Sequence, residues 1–203
     1  MTTALAALAG YLAGSIPFAV LVSRMMGLPD PRTYGSGNIG ATNVLRSGNR
    51  IAALLTLLGD AMKGWAAVLV ARAIGLSEMD VAVVGFAAFL GHMFPVWLRF
   101  RGGKGVATAA GVLIALDWRL GLSVLMVWLA VAAITRYSSL AAIVAAVAAP
   151  FLAYHFLLHP PVVSLVALMS VMLVMKHHAN IRKLLRGEES RIGARKTPPA
   201  GSA

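Results

Sequence analysis

Residues 34–74 decide the fold: YGSGNIGATNVLRSGNR (34–50) runs straight into IAALLTLLGDAMKGWAAVLVARAI (51–74). About 20 apolar residues of helix cross the hydrocarbon of a bilayer, so the second part is long enough to span. The first part holds four Gly, three Asn, two Ser, one Thr and two Arg, and no acid. Gly35, Gly37 and Gly40 allow backbone N–H groups to turn toward one point, and Ser36, Asn38, Thr42 and Asn43 add short polar groups. If a helix begins at Ala41, its free N–H groups face the same point with Arg46 a turn away. That pattern suits an anion. No Walker lysine follows and no strand precedes, so neither the nucleoside-triphosphate nor the dinucleotide fingerprint is met.

Outward from this stretch the chain stays apolar. Of 203 residues, 59% are apolar and 12% charged, and the mean hydropathy is +0.80, values of a polytopic membrane protein. Runs of spanning character are Ala4–Ser23, Ile51–Ile74, Val81–Leu98, Val106–Leu116, Leu120–Thr135, Leu140–Leu158 and Val162–Met175. The expected fold is therefore an all-α membrane helix bundle of about seven transmembrane helices. It falls to five if Asp117, Trp118 and Arg119 belong to a re-entrant hairpin.

With seven spans, fifteen of the 18 Lys and Arg fall on one side, Arg72 and Arg119 on the other, and Lys63 inside a span. The positive side is cytoplasmic, which puts the N-terminus outside and the C-terminus in the cytoplasm. The basic excess (18 against seven acids) sits between apolar runs, so it points to topology, anionic lipid and phosphorylated small molecules rather than nucleic acid. There is no cysteine, which excludes disulfides and thiolate chemistry. Residues 1–190 read as one transmembrane catalytic domain and 191–203 as a short, basic, disordered tail.

Two further polar segments fall on the same side as the first. GHMFPVWLRFRGGKGVATAAG (91–111) encloses Lys104 between Gly103 and Gly105, with Thr108 on the helix that follows. Arg99 and Arg101 read as interfacial anchors, whereas Lys104 reads as an anion holder. KHHANIRKLLRGEESRIG (176–193) places His177 and Asn180 three apart on one helix face. Within the spans, Asp60 and Lys63 share a face of the second and neutralise each other there, and His92 in the third reads as a satisfied polar group. All three support the polar site.

Together these segments resemble the bacterial acyl-phosphate:glycerol-3-phosphate acyltransferases, small integral membrane enzymes. The resemblance rests on GSGNIGATNVLR (35–46), GHMFPVWLRFRGGKGVATAAG (91–111) and HHANIRKLLRGEE (177–189), with GSIPF (14–18) and DAMKG (60–64) in order between them and before them. It implies a seven-helix bundle in the bacterial inner membrane, its active site facing the cytoplasm. It implies transfer of a fatty acyl group from acyl phosphate to the 1-hydroxyl of glycerol 3-phosphate, giving lysophosphatidic acid and phosphate, as the first step of phospholipid synthesis. Ser36, Arg46 and Lys104 would hold the phosphate of acyl phosphate. His177, Asn180 and a serine, Ser138 or Ser139, would serve glycerol 3-phosphate.

The residue chemistry agrees: two phosphorylated substrates need two anion pockets on one face, and an activated donor needs no covalent intermediate. No cofactor, metal or protein partner is required; the partners are the two substrates and membrane lipid. The attacking hydroxyl would lose its proton to a substrate phosphate or to His177. The alternative is a polytopic transporter of a phosphorylated metabolite, but the outer side, with Arg72, Glu78, Asp80, Asp117 and Arg119, offers no matching anion cradle.

Overall fold

A computed structural model describes residues 1–193, and no strand occurs among them. Ten α-helices follow one another: α1 (Thr2–Gly14), α2 (Phe18–Met25), α3 (Ala41–Val44), α4 (Arg50–Ala73), α5 (Glu78–Met93), α6 (Val106–Leu116), α7 (Trp118–Thr135), α8 (Ser138–Leu157), α9 (Pro160–Lys176) and α10 (His178–Leu185). Most of the tail expected to be disordered, 194–203, lies outside the described residues.

Four helices are long and apolar enough to cross a membrane, or six if the bent pairs α1/α2 (41°) and α9/α10 (57°) each count as one span. One run that reads as a continuous span, Ala4–Ser23, is thus broken, whereas Val162–Met175 lies within α9 and the second bend follows it. The first run breaks at Pro17, which has no N–H to continue the helical ladder and whose ring crowds the preceding turn. The break frees the Ile16 carbonyl, which accepts from Lys63 Nζ at 2.8 Å. The run 106–116 forms a single helix of 11 residues, about 16 Å of rise against a hydrocarbon core of about 30 Å. In the loop that precedes it, Gly103 and Gly105 are buried while Arg99, Phe100 and Arg101 are exposed.

Interior and exterior divide by size. On α8, Ala141, Ala142, Ala145, Ala146, Ala149 and Ala153 are buried, while Val147, Phe151 and Tyr154 point outward. Small residues inside let backbones approach, as membrane helices pack without a hydrophobic force between them. The closest crossings need glycine: a Cβ on Gly14 would overlap the Ala88 backbone of α5, and one on Gly111 would overlap that of Ala61 on α4. These contacts fix α1 on α5 and α4 on α6, two of the principal pairings together with α7 on α8 and α8 on α9.

Alternating helices bring the segments 26–40, 94–105, 136–137 and 177–193 to one end and the short turns at 74–77, 117 and 158–159 to the other. At the short-turn end Asp117 caps α7, accepting from the N–H groups of Arg119 (2.8 Å) and Leu120 (3.3 Å). Arg72 donates to the last carbonyls of α6, Ala115 (2.6 Å) and Leu116 (2.8 Å).

Candidate active site

The first polar loop is built around Asn43, which is 2% exposed. Its Oδ1 accepts from the Ser36 N–H (2.9 Å), and its Nδ2 donates to the carbonyls of Pro31 (2.7 Å) and Tyr34 (3.3 Å). Asn43 therefore folds the loop rather than presenting its amide to a ligand, a departure from the expectation. Gly35 and Gly37 have φ of +61° and +67°, where a side chain is strained. Buried Ile39 and Val44 pin the loop onto α2 and α4. The helix expected from Ala41 is one turn, α3, with Gly40 as its N-cap and Asn38 against that glycine.

Of the residues expected to hold the anion, the loop leaves Ser36, Gly37, Thr42 and Arg46 exposed. The Thr42 and Ser138 hydroxyls lie 3.3 Å apart. Arg46 donates to Asn43 Oδ1 (3.5 Å) and to the Ser190 hydroxyl.

The second loop is held by strain and by glycine. Arg99 and Phe100 adopt φ of +50° and +62°, an uncommon state for residues with side chains. The Gly103 N–H donates to the His92 carbonyl at 3.1 Å. A Cβ on Gly103 would meet the His92 imidazole, and one on Gly105 (φ +83°) the Phe89 ring. Lys104 between them is half-buried and donates to Asn180 Oδ1 at 2.6 Å. Burial pushes its ammonium down to about 8; the Glu189 carboxylate opposes that fall, and Arg46 and Lys183 add to it. Thr108 does not join Lys104: it is fully buried and packs toward Gly64 of α4.

Beneath this loop lie the three supporting groups. Lys63 Nζ is 2.8 Å from Asp60 Oδ1, both nearly inaccessible, and His92 Nδ1 is 3.4 Å from the same oxygen. His92 thus touches the buried pair on one side and the Gly103 backbone on the other.

The third segment bends at His177, so α9 and α10 are separate helices and the shared face expected for His177 and Asn180 is interrupted. His177 is 2% exposed, and its Nδ1 lies 2.8 Å from the Leu173 carbonyl. A carbonyl only accepts, so Nδ1 carries the proton and Nε2 the lone pair. Burial pushes His177 down to about 4, aided by Lys104 and opposed by the Leu173 hydrogen bond and Glu189.

After α10 the chain reverses at Gly187 (φ +70°), with the Glu188 N–H on the Lys183 carbonyl at 2.8 Å, the Schellman arrangement. The reversal carries Glu189 back over the site. Its Oε1 accepts from Ser139 Oγ and from Asn180 Nδ2, both at 2.9 Å. The strap is tied down by Ile192, whose N–H and carbonyl pair with the Arg136 carbonyl (2.6 Å) and guanidinium (2.9 Å).

Arg46, Lys104, Ser138, Ser139, Asn180 and the unforeseen Glu189 and Ser190 thus meet at one end of the bundle. The sequence signal for the two missed residues was Gly187, a helix-ending glycine followed by EES. Two grooves open among the loops of this end, neither of them lined by the cluster residues themselves. One of ≈ 690 Å³ runs past Gly37, Ile39, Leu98, Phe100, Gly102 and Lys176, and one of ≈ 410 Å³ past Arg32, Trp97, Arg99 and Arg101.

An apolar-clad helix bundle with cations, hydrogen-bonding groups and the carboxylate of Glu189 gathered at one end defines an integral membrane protein built to meet small polar, anionic molecules at that end. The family model for glycerol-3-phosphate acyltransferase matches residues 4–187, and the chain belongs to that family. It is 59% identical to the glycerol-3-phosphate acyltransferase of Ralstonia nicotianae, over 98% of each chain. With that of Burkholderia ambifaria it shares 60%, over 98% of this chain and 95% of the relative. Its fold matches the crystal structure of PlsY, an integral membrane glycerol 3-phosphate acyltransferase, in its glycerol 3-phosphate form. The TM-score is 0.89, at 35% identity over 95% of this chain and 96% of that one. The lysophosphatidic acid form of PlsY matches with a TM-score of 0.88 at 34% identity over the same shares.

Proposed function

We propose that this protein transfers a fatty acyl group from acyl phosphate to the 1-hydroxyl of glycerol 3-phosphate, releasing lysophosphatidic acid and phosphate, at the cytoplasmic face of the bacterial inner membrane. The observation that carries this reading is the convergence of Arg46, Lys104, Ser139 and Asn180, from four separate segments, at the end that bears most of the basic residues. Relatives of that name over nearly the whole chain supply the acceptor. The donor is argued from chemistry: the chain has no cysteine, and among the described residues no serine is hydrogen-bonded to a histidine base, so a site without an activated nucleophile suits an acyl group that arrives activated.

In this mechanism the acceptor oxygen attacks the carbonyl carbon, its O–H bond breaks, and the bond from that carbon to the bridging phosphate oxygen breaks with its electron pair leaving on phosphate. Lys104 and Arg46 neutralise the departing phosphate, with backbone N–H groups of the glycine loops beside them. Ser36 and Gly37 belong to the donor side, where the adjoining groove is partly apolar; Ser138, Ser139, Asn180 and His177 belong to the acceptor side. A phosphate monoester titrates near 6, well above His177 at about 4, so the proton passes to a substrate phosphate oxygen and His177 acts by orienting.

The test offers purified protein in detergent palmitoyl phosphate or palmitoyl-CoA, each with and without glycerol 3-phosphate. Phosphate release that needs the acceptor, matches lysolipid one for one, prefers palmitoyl phosphate and survives EDTA is expected. Preference for the thioester would overturn the donor assignment, and loss with EDTA restored by magnesium would overturn the metal-free scheme. Uptake of glycerol 3-phosphate by sealed vesicles without turnover would favour the transporter.

A further inference from the structure

A site that holds anions with Arg46 and Lys104 would, left to those cations, bind any phosphate. Inorganic phosphate, a product of the proposed reaction, would compete with the acceptor. The structure places one carboxylate in this site. Of the seven acids in the chain, Glu189 alone reaches it, half-buried, with Oε1 on Ser139 and Asn180. Asn180 is itself the partner of Lys104, so carboxylate, amide and ammonium form one connected chain. Glu188 beside it is exposed. The other charged groups acting here, Arg46 and Lys183, are cationic.

We propose that Glu189 sets the specificity of the acceptor pocket it shares with Ser139 and Asn180: it accepts hydrogen bonds from the alcohol hydroxyls of a polyol phosphate and disfavours a second phosphate in their place, while the donor's phosphate stays on Arg46 and Lys104. This rests on glycerol 3-phosphate being the acceptor. An ionised carboxylate only accepts. A glycerol moiety brings O–H donors that replace those of Ser139 and Asn180, whereas phosphate dianion brings chiefly acceptors and a like charge. Specificity then comes from a built-in repulsion as much as from an attraction. Phosphate is thereby rejected as a competitor for the acceptor pocket.

Gln is the decisive substitution. Its Oε1 retains an acceptor for Ser139 and Asn180, so the strap stays tied while the charge is removed. Dissociation constants for glycerol 3-phosphate and for inorganic phosphate are measured by calorimetry on the full-length protein in detergent without donor, for wild type, Glu189→Gln and Glu189→Asp, beside their unfolding temperatures. Wild type is expected to prefer glycerol 3-phosphate. In Glu189→Gln phosphate binding is expected to strengthen about tenfold, the scale of one like charge at a part-exposed site, while glycerol 3-phosphate weakens several-fold. Glu189→Asp keeps the charge and should keep the rejection of phosphate, and it carries the test if the Gln variant fails to fold. An unchanged ratio of the two constants in a folded Gln variant, or tighter phosphate binding in Asp, overturns the inference and leaves Glu189 a strap tie. Failure of the wild type to bind glycerol 3-phosphate would instead overturn the function reading on which it rests.

Discussion

The two ends of the bundle use charge differently. At the short-turn end the partners are near in sequence or close a single corner: Arg119 binds Asp117 two residues away, Ser77 binds Asp80 three away, and Arg72 ties Glu78 to the end of α6. At the other end Lys104 reaches a residue 76 positions on, Ser139 one 50 on and Arg46 one 144 on. Charges that close helix termini are satisfied where they stand. Those at the proposed site, Lys104 and Arg46, are held by neutral partners brought from afar, so their geometry depends on the packing of the whole bundle.

That contrast breaks first, if it breaks, at the layer joining the site to the core. Asp60→Ala strands Lys63 without its carboxylate and leaves the His92 imidazole, which packs against Gly103, without its charged neighbour. Loss of one partner of a buried pair costs about 3–5 kcal/mol, so a large drop in thermal unfolding temperature in detergent is expected, together with lost turnover. An unfolding temperature equal to the parent's would mean the pair holds nothing.

A smaller effect sharpens the site end alone. Lys104 is depressed from 10.5 to about 8 by burial, so it is charged below that pH and neutral above it. The ratio kcat/KM for glycerol 3-phosphate, which reports the free enzyme, should fall as pH rises through about 8, by up to about tenfold at pH 9. Lys104→Arg should remove this limb, since a guanidinium stays charged. A limb that persists in the Arg variant would belong to another group. Smallest of all, Arg119→Ala should leave both turnover and unfolding temperature unchanged, because its pair with Asp117 is exposed and local.

Much of this was legible in the chain. Charge is scarce in an apolar sequence, so the glycine-rich loops around Arg46 and Lys104 stood out, and the i, i+3 spacing announced the Asp60–Lys63 pair. The break at Pro17 was also legible, since a proline within an apolar run withdraws a helix donor, yet the run 4–23 read as one span on hydropathy alone. Asn43 and Thr108 resisted reading for a different reason: a polar side chain beside a glycine looks the same whether it faces ligand, loop backbone or a neighbouring helix. Glu189 was hardest. Its place follows from the turn at Gly187 together with Ser139 on α8, a pairing that only the packed bundle creates.

The most direct measurement compares the ends in one experiment: acceptor-dependent phosphate release and unfolding temperature for Lys104→Ala beside Arg72→Ala. Lys104→Ala should lose about 10²-fold or more in turnover, as expected for a lost transition-state cation, with its unfolding temperature nearly unchanged. Arg72→Ala should unfold earlier, by about 1–2 kcal/mol for the lost hydrogen bonds to the end of α6, with kcat/KM intact. The reverse pattern, a destabilised but active Lys104→Ala or a stable but inactive Arg72→Ala, would contradict the division between a working end and a structural one.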